Sequence, residues 1–364
     1  MVHYINAFST VTVPEETEEQ LTTIVNEGWY TIYPEVNKVL VLNQDALNEV
    51  RLGTQMKNCT LPPVPYSFLG SNLNYVPIRK LARLIAGSGR QLEHQKKYSE
   101  ALNYYLEGLL FGKDIAQKDQ FLVTHMIGLA IINVQITPLL ELIKSDKLTE
   151  KDLRQIINDC SDIDKQLPNI SNAVEMEYRL MYNLLSDKQE RNNAIKYSLK
   201  RSNGLLNSFI LSFYFNTGHI SRDFIDYYHG ISNAISHESY QKFMQTDWVS
   251  KIPKDKVNQC LTIPWPNPYT QHMRVRCLIR LAQIDAAIQL YHLEKKQWPK
   301  SLNDLKPEYL PKVPLDPFIN KPFRLTQNES GMYAYSVGPD FKDDRAKIIY
   351  DPTNGTARLG DIVQ

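Results

Sequence analysis

The protein has 364 residues, of which 43% are hydrophobic and 22% are charged. These fractions are typical of a globular chain and exclude a disordered tail, a collagen-like fibre and a polytopic membrane protein. Because 41 Lys and Arg oppose 40 Asp and Glu, the net charge of +1 gives no field that attracts nucleic acid or an anionic membrane. The length suggests about two domains.

The start of the chain has neither the basic segment nor the apolar run of a signal peptide. The longest apolar stretch, residues 126–143, contains several polar residues and predicts a buried core helix instead of a membrane span. His125 beside it is predicted to be a hydrogen-bonded core residue. We therefore expect a soluble chain that reaches a membrane only through an anchor absent from this sequence. The four cysteines are too far apart for a C-x-x-C motif.

Helical periodicity dominates residues 15–298. Acidic residues open a helix at 15–26, and a stripe of apolar residues follows at positions 39–50. Residues 76–116 predict a helical hairpin whose second half has the spacing of a tetratricopeptide helix pair. Only one such unit is visible, whereas a solenoid needs several at a period of about 34 residues. Thr149 and Asp152 predict a capping box before the next apolar stripe.

The proline-rich residues 262–268 must be extended and give the predicted domain boundary. The clearest helix in the chain is predicted over 269–296. After it, Ser301 to Asp304 predict a short capped helix, and 323–326 with 332–337 predict a β-hairpin. Short edge strands are expected at 347–350 and 361–363. The sequence thus predicts an α+β, mostly α fold: a multi-helix domain over 1–265, then a long helix packed on a small antiparallel sheet over 266–364.

Four segments of the last hundred residues share a recognisable pattern. Residues 290–305 end a long helix in a Trp-Pro turn, 313–323 contain Pro-Leu-Asp-Pro-Phe, 335–340 read Tyr-Ser-Val-Gly-Pro-Asp, and 361–363 read Asp-Ile-Val. In this order they resemble the globular end of the major pseudopilin of type II secretion systems, over about 85 residues. The whole chain also resembles a group of uncharacterised bacterial envelope proteins with a helical body before this module. The resemblance implies this architecture and an extracytoplasmic location, either periplasmic or at the membrane through an anchor.

The chain departs from the pseudopilin pattern in several places. The long helix follows some 270 residues instead of opening the chain as a membrane-inserted stem that supports polymerisation. Phe341 stands where a Gly commonly follows the loop Asp, and residues 345–360 are an insertion before the final Asp-Ile.

The first candidate site is the acidic loop at 336–344 together with Asp361. Calcium takes six to eight oxygen ligands, and three carboxylates within five residues are able to supply several of them. In the pseudopilins that it resembles, this loop holds Ca²⁺, which implies as ligands the Val337 carbonyl, Asp340, Asp343 or Asp344, and Asp361. Such an ion would stabilise a small sheet that buries little hydrophobic surface. The alternative is a solvated turn, because Asp is a common turn residue and Lys342 in the loop and Arg345 directly after it partly neutralise the acids.

The second candidate site is a helical segment in the body in which His219, Asp223 and Asp226 share one face and His229 lies three residues after Asp226. A His beside a carboxylate is able to act as a general base or metal ligand. The alternative is a solvated face with weak side-chain pairs. Aromatic residues of the same region predict either core packing or a ligand pocket: Phe213, Tyr214, Phe215, Phe224, Tyr227, Tyr228, Tyr240 and Phe243.

These observations favour an extracytoplasmic binding or assembly protein with a calcium-stabilised C-terminal module and no evident catalysis. Its partner would be another protein or an envelope component, and not nucleic acid. The alternative is a hydrolase-type enzyme that uses the His and Asp residues of the helical body. A third hypothesis is a tetratricopeptide-like adaptor, which requires a concave groove of stacked helix pairs.

Overall fold

The computed structural model describes residues 2–30, 33–56, 74–117, 121–190, 192, 222–254, 259, 262–328, 331–351 and 359–363. Twelve α-helices lie within these ranges: α1 (Val2–Thr10), α2 (Glu15–Glu27), α3 (Pro34–Leu42), α4 (Gln44–Thr54), α5 (Tyr75–His94), α6 (Tyr98–Ile115), α7 (Leu122–Lys144), α8 (Glu150–Gln166), α9 (Ser171–Ser186), α10 (Arg222–His237), α11 (Tyr240–Gln245) and α12 (Pro266–Lys295). A 3₁₀ helix (Leu302–Leu305) and four short strands follow: β1 (Leu315–Asp316), β2 (Lys321–Pro322), β3 (Arg324–Asn328) and β4 (Gly331–Tyr335). The α+β, mostly α prediction is confirmed.

Several helix ends follow directly from local chemistry. Thr149 and Asp152 form the predicted capping box at the start of α8, and Ser301 with Asp304 forms a second one before the 3₁₀ helix. Pro266 occupies the first turn of α12, where its missing N–H costs no helical hydrogen bond. The two capping boxes were predicted because each depends on residues only a few positions apart. The prediction that 262–268 is extended was wrong for residues 266–268, which form the first turn of α12, because a proline is tolerated in the first turn of a helix.

Two large hydrophobic cores and one small cluster, Phe121 with Met176 and Leu180, lie within the described residues. The smaller of the two large cores joins α1 to α5 with one face of α6 and α7. The larger one begins at Ala101 in α6, continues through α7 to α11 and the long helix α12, and ends at Ile362. The buried face of α12 packs against α7 and α8, and α12 also contacts β1 and β4. The predicted boundary at 265/266 therefore lies at the start of a helix that shares a core with the helical body, and the division into two domains stays a prediction.

The helices α6 and α7 approach each other closely at a pair of glycines. A Cβ added to Gly128 would lie 2.5 Å from the Gly112 carbonyl oxygen and 2.5 Å from the Ala116 amide nitrogen. Both neighbours are backbone atoms, which cannot move aside as a flexible side chain can. Glycine at this position therefore sets the distance between the two helices.

The strands form two antiparallel two-stranded ladders. Leu315 pairs with Pro322 in the first, and Arg324 pairs with Tyr335 in the second, which is the predicted hairpin. The predicted edge segments are isolated bridges: Ser336 pairs with Ile362, and Ile349 pairs with Asp361. These bridges bring the last described residues back beside the end of β4.

One helix among the described residues, α7, is long and apolar enough to cross a membrane by length and composition. In this fold 61% of its most apolar window is buried against other helices. This placement matches that of the predicted core helix.

Candidate functional site

The acidic loop and the C-terminal residues meet through backbone hydrogen bonds. The Ser336 N–H donates to the Ile362 carbonyl over 3.1 Å, and the Ile362 N–H donates to the Ser336 carbonyl over 2.9 Å. Gly338 follows with φ of +70°, and a Cβ there would lie 2.3 Å from the Gly360 carbonyl oxygen. Only glycine fits this conformation and this approach. The fold thus places Asp361 beside the loop that holds Asp340.

The predicted calcium ligands of the loop make hydrogen bonds to main-chain N–H groups. Asp340 accepts from the Lys342 and Gly360 N–H groups, each over 3.0 Å. Asp343 accepts from the Arg345 N–H over 3.0 Å, from the Tyr335 hydroxyl over 2.9 Å and from Arg324 Nε over 3.3 Å. Burial opposes ionisation of Asp343, but these donors together lower the pKa of its carboxyl. Asp343 is therefore a stable anion.

Asp361 is the most unusual carboxylate of the group because its side chain has no exposed surface. One oxygen, Oδ2, accepts from the Ala346 N–H over 2.7 Å, while Oδ1 is buried without a hydrogen-bond donor among the described residues. Burial raises the pKa of Asp361, the main-chain N–H groups of Ala346 and Asp344 lower it, and the charges of Asp343 and Asp344 raise it again. A cation at Oδ1 would relieve both the burial and the repulsion.

The donor atoms in this region have the chemistry that calcium prefers, since they are carboxylate and carbonyl oxygens. Val337, whose carbonyl oxygen belongs to the predicted ligand set, is buried. Within the described ranges, however, no three side chains of the Asp, Glu, His or Cys type converge to metal-binding distance. An ion here would therefore depend on Asp361 and on main-chain oxygens more than on a cage of carboxylates.

The loop is fixed to the rest of the fold by Asp316, which sequence reasoning did not propose as a site residue. Its Oδ1 accepts from the Phe318 N–H over 2.9 Å, and its Oδ2 accepts from the Val337 N–H over 3.3 Å. Burial raises the pKa of Asp316, and the two N–H donors oppose that rise. The Pro-Leu-Asp-Pro and Tyr-Ser-Val-Gly segments are thus joined through one buried carboxylate.

The second candidate site lies on α10. Asp223, Asp226 and His229 are exposed, and His219 lies outside the described residues. Asp226 Oδ2 is 3.9 Å from Arg222 Nε, one turn earlier on the helix. The His229 ring contacts the Tyr178 ring, with 5.3 Å between centroids. The structure places these side chains on a solvated helix face and brings no two of the three described residues together in a pocket.

The aromatic residues of the same region lie on the opposite, buried face. Those within the described ranges belong to the larger hydrophobic core: Phe224, Tyr227, Tyr228, Tyr240 and Phe243. The Tyr227 hydroxyl donates to the Ile263 carbonyl over 2.9 Å, so its polar end is satisfied. Residues 213–215 lie outside the described residues. Core packing accounts for the described aromatics.

The sequence predicted only one member of a buried pair of histidines. His125 was expected in the core, but its partner His272 lies 147 residues further along the chain. His125 Nε2 is 3.1 Å from His272 Nδ1, and both side chains are almost fully buried. Burial lowers the pKa of His125 to about 4, and burial with the nearby positive charges lowers the pKa of His272. Both rings are therefore neutral near pH 7.

Comparison with protein-family models, with curated proteins and with solved structures found no match. The function is therefore inferred from the residues of this chain and their arrangement.

Proposed function

We propose that this protein is an extracytoplasmic binding or assembly protein whose pseudopilin-like C-terminal unit is stabilised by calcium. The observation that carries the proposal is that three of the four segments with the pseudopilin pattern contact one another and that the first one contacts the hairpin between them. Asp316 joins two of them, the Ser336–Ile362 bridge joins the C-terminal residues to the loop, and Trp298 stacks on His292 with 3.8 Å between ring centroids. Because Trp298 also covers Gly331 in the hairpin, the helix end belongs to the same unit.

The calcium part of the proposal is supported by the buried, unpartnered Oδ1 of Asp361 near two further carboxylates. Binding to the folded state alone stabilises it by RT ln(1 + [L]/Kd), which is about 2.7 kcal/mol at a hundredfold excess over Kd. After treatment with a chelator, addition of about 1 mM CaCl₂ should raise the melting temperature by several degrees, whereas MgCl₂ should do so less.

The control compares two Asp→Asn variants. Asp361→Asn should remove the calcium-dependent rise, whereas Asp162→Asn, at an exposed position on α8, should keep it. A melting temperature that calcium leaves unchanged in the unmodified protein would remove the ion from the proposal.

The location is tested separately with the gene product made from its natural start. Alkaline phosphatase fused after residue 364 is active only when exported, so we expect an active fusion. Fluorescence from a cytoplasmic reporter at the same position, with an inactive phosphatase fusion, would contradict an extracytoplasmic protein. The reporter fusions test only the location and the calcium titration tests only ion binding, so one part of the proposal can be wrong while the other is right.

A further inference from the structure

An apolar groove lies between α5 and α7, far from the residues of the C-terminal unit in the chain. Its volume is about 360 Å³, within the range of small-molecule sites. Seven of its nine lining residues are apolar, and the other two are arginines: Tyr75, Val76, Ala82, Ile127, Ala130, Ile131 and Val134, with Arg79 and Arg83.

Each of the two helices contributes one alanine to the lining of the groove. Ala82 on α5 is buried and Ala130 on α7 is exposed, and these small side chains leave more space than larger ones would. The Ala82 carbonyl accepts from the Gln135 side-chain amide over 2.7 Å, so this lining residue already has its acceptor satisfied. An apolar surface without polar demands favours an alkyl chain.

The arginines at the groove belong to a cluster of three cations around one carboxylate. Glu18 on α2 lies 3.2 Å from Arg83 Nη1, 3.3 Å from Lys80 Nζ and 3.6 Å from Arg79 Nη2. Among the described residues, Glu18 is the only carboxylate that forms an ion pair with any of the three. The cluster therefore carries a net charge of +2, and the side chain of Arg79 is 58% exposed.

From this arrangement we propose that the groove binds a medium-chain fatty carboxylate. The alkyl chain lies along Ala82, Ala130 and Ile131, and the carboxylate pairs with Arg79 and Arg83. Charge complementarity decides the class of ligand, since an uncharged chain leaves the excess of cations unused and a cationic chain is repelled. The size of the groove suits a small amphiphile better than a partner helix, which requires a longer apolar surface. This site is independent of the calcium proposal.

The test uses decanoate as the probe in calorimetric titrations of the full chain, below the concentration at which decanoate forms micelles. Decanoate should bind saturably at a single site. Decanol should bind about tenfold more weakly and decyltrimethylammonium still more weakly, because both lack the anionic group. Higher salt should weaken decanoate binding, because Arg79 is largely exposed.

Variants separate the two parts of the site. Ala130→Trp fills the hollow and should abolish decanoate binding, whereas the matched control Thr137→Trp, exposed on the same helix, should leave it unchanged. The double variant Arg79→Gln/Arg83→Gln should weaken decanoate binding about tenfold and decanol binding less than twofold. Lys80 keeps its pair with Glu18 in this variant, and an unchanged melting temperature shows that the fold is retained.

Three results would overturn the proposal. The first is the absence of saturable decanoate binding. The second is equal binding of the anionic, neutral and cationic chains, which would indicate non-specific partition. The third is binding to phosphatidylglycerol vesicles, or self-association at the groove, without binding of monomeric decanoate.

Discussion

The tautomers of the buried histidine pair follow from one carbonyl. His125 Nδ1 lies 3.2 Å from the Ala116 carbonyl oxygen, which only accepts, so Nδ1 carries the proton and Nε2 of neutral His125 is an acceptor. His272 Nδ1–H therefore donates to His125 Nε2. Protonation of either ring would place a charge in a site without water, and this burial is the main reason that the pKa values of both rings are lowered. The buried site therefore favours the pair with both rings neutral.

This pair predicts a dependence of stability on pH. The ordinary pKa of histidine is 6.5, and in the folded state that of His125 is about 4, so between these values the unfolded chain binds more protons. The stabilisation is complete above about pH 6.5 and is lost as the pH falls towards 4, with a contribution from His125 on the order of 3 kcal/mol. Urea unfolding at several pH values between about 7.5 and 4.5 measures this loss.

A variant isolates the contribution of the pair. His272→Gln keeps a donor for His125 but removes one titrating ring, so the fall in unfolding free energy over this pH range should be smaller. His237→Gln, at an exposed position on α10, should not change the pH dependence. An equal loss of stability on acidification in the His272 variant and the unmodified protein would contradict the assignment.

Asp164 on α8 forms ion pairs with two arginines of the long helix α12. Its carboxylate oxygens accept from Arg276 Nε over 3.0 Å and from Arg280 Nε over 2.9 Å, and its carbonyl accepts from Arg276 Nη2 over 2.6 Å. Sequence reasoning did not identify this cluster, because the partners are 112 and 116 residues apart. Only the packing of α8 on α12 brings them together.

Removing this carboxylate should cost more than removing an exposed one. Asp164→Ala removes the carboxylate that accepts from Arg276 Nε and Arg280 Nε, although each guanidinium keeps a main-chain carbonyl acceptor. The loss of this charge from a largely buried site should lower the free energy of unfolding by about 2 kcal/mol. Asp162→Ala, two residues earlier with a side chain 64% exposed, should change it by less than about 0.5 kcal/mol. Chemical denaturation of both variants gives the comparison, and equal effects would show that Asp164 contributes no more than a surface charge.

At the level of secondary-structure elements, periodicity and capping residues predicted the positions of most helices. They did not predict every point at which one helix ends and the next begins. The apolar stripe at 39–50 is divided into α3 and α4 at Asn43. The Asn43 side chain accepts from the Thr12 N–H over 2.8 Å and donates to the Thr12 carbonyl over 2.8 Å. A break that is fixed by a residue 31 positions away has no local signal in the stripe. The hairpin α5 and α6, by contrast, matched its prediction because its pattern is local.

Replacement of a helix glycine by alanine is predicted to have opposite effects on stability at the α6–α7 contact and on α10. Gly128→Ala should destabilise the protein by roughly 1–3 kcal/mol, since its Cβ would meet backbone atoms at 2.5 Å. Gly230→Ala on α10 meets the Trp248 ring at an ordinary 3.6 Å and should stabilise the protein by up to about 1 kcal/mol through helix propensity. Thermal and urea unfolding of the two variants provide the check. A neutral Gly128 variant would show that the two helices can move apart at little cost.

For the whole molecule, the larger core connects the helical body, the long helix and the C-terminal hairpin. Asp285, in the buried part of α12, accepts from the Ala334 N–H of β4 over 2.8 Å, so the hairpin is bound to the same helix that packs on α7 and α8. The sequence predicted a separate domain over 266–364, in which the long helix packs on a small sheet. Here both sides of α12 are covered.

This continuity predicts how the C-terminal part behaves alone. A fragment of residues 266–364 would expose the buried surface of α12 that packs against α7 and α8 in the full chain. We expect the fragment to aggregate or to melt without cooperativity, whereas the full chain melts in a cooperative transition that includes the C-terminal unit. Sedimentation and thermal melting of both proteins decide between these outcomes, and a monomeric fragment with a sharp transition would support an independent domain.

The sequence by itself determined the fold class, the positions of most helices, the two capping boxes and the hairpin, because these depend on residues within a few positions of one another. It also placed the loop Asp340 and the terminal Asp361 in the same small unit. Tertiary structure alone decided which carboxylates are satisfied by main-chain N–H groups, which histidines pair, and where α5 and α7 leave a groove. Those features arise from side chains that are distant in the chain and meet only when the helices pack.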